Sequence, residues 1–255
     1  MMKKIKYILL SIFVVLLTMS CSKSGSSNSQ TGNGSSDGKG GSLATFALKD
    51  DYLYTVDNQK LNIFNVKQIE NPVKVNQTDI GFNIETLYSL DNYLFVGSRN
   101  GMFIYDITNP ENPKKLSETQ HFKACDPVVA NKTHAFVTLH SNTNCGNNTN
   151  VLLIYDIKDP INPELIHQRN LNFPRGLALH EDYLIVCDDE LKIFNVKNPS
   201  EPFLVSSFNA NFKDVVVYDD VLFAFGEKTI NQFKWTRNDF SSLRQISSIY
   251  YEPAK

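Results

Sequence analysis

Five carboxylates sit where they could do chemistry: Asp57, Glu85, Asp126, Asp188 and Asp214 each fall beside a turn in a chain of short apolar runs. Paired carboxylates are the machinery of glycoside hydrolysis, one protonating the leaving oxygen while the other acts as base or nucleophile. Two cations, Arg175 and Lys213, and the Asn-rich stretch LHSNTNCGNNTN from Leu139 to Asn150, with His140 and Asn142, could instead bind a ligand without altering it. The five histidines show no metal-ligand spacing with cysteine or carboxylate. No Gly-rich phosphate loop and no Gly-x-Ser-x-Gly turn is present. The residues therefore assign no catalytic group, no metal and no cofactor, and a non-catalytic binding role is preferred to a hydrolase acting on glycans.

Those residues are positioned by a repeat. One phrase occurs four times, as LNIFNVKQIENP from Leu61, MFIYDITNPENP from Met102, LLIYDIKDPINP from Leu152 and LKIFNVKNPSEP from Leu191, with a worn fifth copy, TINQFKWTRNDF, from Thr229. A period of about 40 residues signals a repeat architecture. Each unit opens with a short apolar run and turns at a polar pair such as Asp50-Asp51 or Asp91-Asn92. It continues through a β-branched and aromatic run (YLYTV, YLFVG, HAFVT, YLIVC, VLFAF), then the phrase, its prolines and a last strand. Four strands per unit make a small antiparallel sheet. Prolines cannot donate to a ladder, so Pro110 and Pro113 end the third strand. The Asp or Asn at 65, 106, 156 and 195 sits at that exit to bond nearby backbone amides. Five such sheets predict an all-β fold, a β-propeller of about five four-stranded blades over residues 43–255.

Alignment of the units puts Ala44, Glu85, Asp126, Arg175 and Lys213 at one lead-in position, with Thr45, Thr86, Pro127, Gly176 and Asp214 next to them. This predicts a ring of mixed charge around the axial mouth. The insertion from Leu139 to Asn150 lies on the same face, and a Cys125–Cys145 disulfide is expected to pin it there. Cys187 shares a column with Val56, Gly97, Thr138 and Phe225 and reads as a buried thiol. Phe82, Phe122, Phe173 and Phe212, one in each passage between units, read as packing between blades, with stacking on a ligand as the alternative.

The start of the chain has a different grammar. Lys3, Lys4 and Lys6 precede an apolar run from Tyr7 to Leu17, too short for a comfortable bilayer span, and Cys21 follows at once. The stretch LLTMSC resembles a bacterial lipobox, which implies cleavage after residue 20 and lipid on Cys21. Residues 21–42 read as a tether, since 22–42 hold eight serines and six glycines; its root-mean-square reach is about 25 Å. The resemblance implies an outer-membrane lipoprotein. The tether lacks the acidic cluster expected of surface-export signals, so the periplasmic face is preferred. The net charge of −2 offers no basic footprint for nucleic acid. Partners are then the membrane, through Cys21, and a protein or glycan; oligomeric state is left open.

The repeated phrase also resembles the LVIVD-repeat family, whose units read as a strand ending in I-D-V followed by S-D-P-x-x-P. MFIYDITNPENP and LLIYDIKDPINP are the nearest copies. The resemblance implies a propeller of extracytoplasmic bacterial proteins and carries no general activity to transfer.

Overall fold

The second and third strands of blades two, three and four bury most of their residues, so both faces of those sheets are covered. The structure, a computed structural model, describes residues 41–120, 127–140, 149–236 and 239–252. Blade one comprises β1 (Phe46–Lys49), β2 (Tyr52–Val56), β3 (Lys60–Asn65) and β4 (Val73–Asp79). Blade two comprises β5 (Ile84–Leu90), β6 (Tyr93–Ser98), β7 (Gly101–Asp106) and β8 (Lys114–Gln120). Blade three comprises β9 (Val128–Ala130), β10 (His134–Leu139), β11 (Val151–Asp156) and β12 (Glu164–Asn170). Blade four comprises β13 (Leu177–His180), β14 (Tyr183–Cys187), β15 (Leu191–Asn195) and β16 (Phe203–Phe208). Blade five comprises β17 (Asp214–Tyr218), β18 (Val221–Phe225), β19 (Thr229–Thr236) and β20 (Asp239–Tyr250). Each sheet is antiparallel and built from consecutive strands, so no strand is exchanged between the first and last blades. This is the five-bladed β-propeller expected.

The turn chemistry follows the residue types. The first residue of the inner hairpin is left-handed at Asp50, Asp91, Glu181 and Asp219, with φ between 46° and 50°, a region Asp tolerates better than most. Blade three uses another device: Asn131 Oδ1 accepts the backbone N–H groups of Thr133 and His134 at 2.9 and 2.8 Å. At the end of the third strand, Asn65, Asp106, Asp156 and Asn195 each accept the N–H two residues on, at 2.7–3.0 Å. Recurrence of these four residues is therefore geometry. The proline turns also dock between blades. Tyr54 Oη donates to the Pro110 carbonyl at 3.0 Å, and Arg169 donates to the Pro202 carbonyl at 2.8 Å.

One feature is not written in the strand pattern. In every blade the register slips at the same place between the third and fourth strands, at Ile63/Phe64, Ile104/Tyr105, Ile154/Tyr155, Ile193/Phe194 and Gln232/Phe233, and blade five slips a second time at Lys234/Thr236. The extra residue is Val75, Leu116, Ile166, Val205 or Ile246. A bulge bends the outer strand, and Val75, Leu116 and Ile166 pack on the apolar clusters between blades.

Those clusters join blades one to two, two to three, three to four and four to five. The seam from five to one differs. Leu87, Val128, Leu177 and Val215 occupy one column pointing at the preceding blade and are at most 2 % exposed, whereas Phe46 in that column is 48 % exposed. Polar residues mark the same two faces. Thr55 stands where Val96, Val137 and Val186 stand, and Gln232 where Ile104, Ile154 and Ile193 stand. Terminal repeats soften their outward faces in this way because no neighbour covers them. Leu87→Ala should therefore destabilise the fold by about 2–5 kcal/mol and Phe46→Ala by only about 1 kcal/mol, read as the shift in urea midpoint of each variant.

The axial mouth as candidate functional site

The lead-in residues reach the mouth because the inner strands begin in register. The position after each is bonded to or opposite the end of its second strand: Val56 N–H donates to Thr45 O at 3.0 Å, Thr138 N–H to Pro127 O at 3.3 Å and Cys187 N–H to Gly176 O at 2.9 Å. Thr86 lies opposite Gly97 and Asp214 opposite Phe225. The alignment of units is thus the one expected, and Cys187 is fully buried, with burial pushing its thiol pKa up. Neighbouring blades are stitched at this level. Leu87 N–H donates to Ala44 O at 2.8 Å, Gly176 N–H to Lys213 O at 3.0 Å, and Thr138 Oγ1 to Arg175 O at 2.6 Å.

Among the described residues, the charged members of the ring each engage a local partner. Glu85 Oε1 accepts from Arg99 Nε at 2.7 Å. Lys213 Nζ pairs with Glu227 at 2.6 Å, and this contact holds the Glu227 carboxyl below its ordinary range. The Arg175 guanidinium lies 4.8 Å over the Phe173 ring, which meets His140 edge-on at 5.5 Å. The Arg175 Nε is buried with no hydrogen-bond partner among the described residues. Two further carboxylates prove structural. Asp57 accepts the Gln59 and Lys60 amides at 3.0 and 2.8 Å, which lower its pKa. Asp188, fully buried, accepts from the Asn172 and Phe173 amides and from Lys192 Nζ at 2.7 Å. Cys21, Phe122, Cys125, Asp126, Asn142 and Cys145 lie outside the described residues, so the disulfide and the insertion's centre are not placed.

Asp214 is the residue around which the mouth is built. Ser42 Oγ donates to Asp214 Oδ1 at 3.0 Å and accepts from the Leu177 N–H at 2.8 Å, while Val215 N–H reaches the same carboxylate oxygen at 2.9 Å. A methyl group built on either Gly41 or Gly176 would collide with the Asp214 carboxylate, so both flanks require glycine. Ser42, read from sequence as the last tether residue, is only 2 % exposed; the folded body begins by Gly41. Beneath this plug a cavity of about 70 Å³ is lined by Tyr88, Val129 and the inner strands β13 and β17. It is well short of the roughly 300 Å³ from which ligand sites start. Sequence could not show the plug, because one serine among eight in a polar segment carries no distinguishing mark. Phe82 also departs from its expected packing role, being 65 % exposed while Phe212 is buried.

Comparison with known proteins agrees with this architecture. Among solved structures, the computationally designed Ika8 protein is similar over 81 % of this chain, with 8 % identity and a TM-score of 0.58. A Lactobacillus plantarum protein is similar over 76 %, with 14 % identity and a TM-score of 0.56. A chain of the mitotic checkpoint complex is similar over 78 %, with 18 % identity and a TM-score of 0.56. The chain covers 61 %, 64 % and 62 % of those three chains. Identities this low concern the fold alone, and no curated protein matches the chain. The class is that of the β-propellers. Within it, the LVIVD repeat model matches residues 89–118 and 175–210, so the chain is similar to LVIVD repeats over those two segments.

Burial raises the Asp214 pKa from 3.8 to about 6, outweighing the hydrogen bonds that act the other way. The folded state therefore keeps a proton between pH 4 and 6 that the unfolded chain releases, and this residue's contribution to stability rises as pH falls through that window. Across it, the stability difference between wild type and Asp214→Asn, measured by urea titration, should change by about 3 kcal/mol in favour of wild type on acidification. Loss of the plug hydroxyl in Ser42→Ala leaves the Leu177 N–H unsatisfied and should lower stability at neutral pH by about 1–3 kcal/mol in the same assay.

Proposed function

We propose that the protein is a lipid-anchored extracytoplasmic lipoprotein whose propeller is a non-catalytic binding or assembly module for a protein or glycan. The observation that carries the reading is the state of the carboxylates. Asp57, Glu85, Asp188 and Asp214 are each engaged by a local structural partner, whereas glycoside hydrolysis needs two that face each other across an open site about 5–10 Å wide. The Ser42–Asp214 plug and the small cavity beneath it also argue against a deep axial active site. Anchoring is supported by the lysines at 3, 4 and 6, the apolar run to Leu17 and the LLTMSC stretch. Two or more acyl chains on Cys21 would hold the molecule stably, where one chain alone is marginal. The periplasmic face of the outer membrane is the proposed address.

Cells fed radiolabelled palmitate should label the wild-type protein and leave Cys21→Ser unlabelled and shed from the membrane fraction; equal labelling of both removes the anchor. Affinity capture from envelope extracts with residues 41–255, repeated without Asn142–Asn148, tests the module. Partner recovery should fall on deletion, and capture of nothing by either form counts against a binding role at the mouth.

A further inference from the structure

The passage from blade one to blade two holds an aromatic residue outward by design of the backbone. The Ile80 N–H donates to Gln59 O at 3.0 Å, and the Ile80 carbonyl accepts from Tyr105 Oη at 3.5 Å. Three residues later, the Asn83 carbonyl accepts from Arg99 N–H at 3.1 Å. Gly81 has φ of 132° and Asn83 of 57°, so two left-handed residues flank Phe82 between two anchored points. Its ring is 65 % exposed. Phe212, in the passage before blade five, is buried edge-on against Phe233 at 5.9 Å. With Phe82 swung out, a cleft of about 350 Å³ is left, lined by Asp79, Phe82, Asn100, Phe103, Lys115 and Glu118.

The lining defines the ligand by its chemistry. Lys115 lies 4.8 Å over the Phe103 ring and is ion-paired to Glu118. The cation–π face of Phe103 is therefore already filled, and an incoming cation would meet a like charge. Asp79 and Glu118 against the one Lys115 leave no surplus positive charge for a phosphate or sulfate. What remains is an exposed aromatic face beside an amide and two carboxylates, which suits a neutral molecule with one apolar side and several hydroxyls. We propose that this cleft binds a neutral sugar residue of a glycan, with the C–H face of the ring stacked on Phe82 and its hydroxyls bonded by Asp79, Asn100 and Glu118. The negative face of an aromatic ring attracts polarised C–H groups, and carboxylate and amide side chains supply acceptors and donors for hydroxyls. The cleft volume lies in the range of small-molecule sites. The proposal deepens the binding-module reading and places the contact away from the axial mouth.

The test applies the full-length protein to an array of neutral and charged glycans, then measures the best neutral oligosaccharide by calorimetry. Phe82→Ala and Asn100→Ala should each weaken binding by about ten-fold or more, while the double variant Arg175→Ala/Lys213→Ala should bind as wild type. Phe82 is exposed, so its variant should melt within about 2 °C of wild type, which separates lost contact from lost fold. Retention of no neutral glycan overturns the proposal, as does retention of sulfated or phosphorylated glycans alone. Neutral-glycan binding that survives Phe82→Ala but is lost in the Arg175/Lys213 variant also overturns it, and in that case leaves the binding-module reading standing at the mouth.

Discussion

A lone four-stranded sheet whose strands alternate large apolar residues has two faces to bury and no means of covering either. Everything in this molecule follows from the solution that one blade covers the next. The column of Leu87, Val128, Leu177 and Val215 fills the space against the blade before, and the bulge in the outer strand pair recurs in all five blades. The proline turns reach back to the preceding blade through Tyr54 and Arg169. A solution of this kind must end somewhere, and it ends at the seam between blades five and one. There Thr55 and Gln232 soften the uncovered faces, and Ser42 ties the lead-in of blade one to Asp214.

The repeat was legible because its causes are local. Strand runs, polar hairpin pairs and prolines each act within a few residues, so alignment of the units put Asp214, Gly176 and Cys187 in their observed columns. The Asp and Asn residues after the third strand were legible for the same reason, their bonds spanning only two residues. The bulge was not, since an extra apolar residue in an exposed outer strand leaves period-two alternation nearly intact. Nor was the Ser42 plug, a contact across 172 positions between a residue type common in tethers and a carboxylate at a turn. Phe82 illustrates the same limit. Its type said packing, and the left-handed backbone on either side turned it outward.

The mouth and the outer cleft represent two different uses of charged groups. At the mouth, Glu85, Lys213 and Asp214 are each matched by a neighbour close in space, and the matching shapes loops. In the cleft, the matched pair Lys115–Glu118 neutralises itself and leaves an aromatic surface flanked by unspecialised polar groups. Conspicuous charge marks the first place, and the departure of Phe82 from the buried Phe212 marks the second.

Tension that enters the described backbone at Gly41 meets first the Ser42–Asp214 and Ser42–Leu177 hydrogen bonds. These bonds bridge blades four and five, so the load is shared between two blades before it reaches β1. The plug is thus a mechanical fuse as well as a stopper: it sits in series with the entering backbone at Gly41 and in parallel with the seam between blades five and one. Its strength therefore decides whether tension is borne by the whole ring or peels blade one away from it.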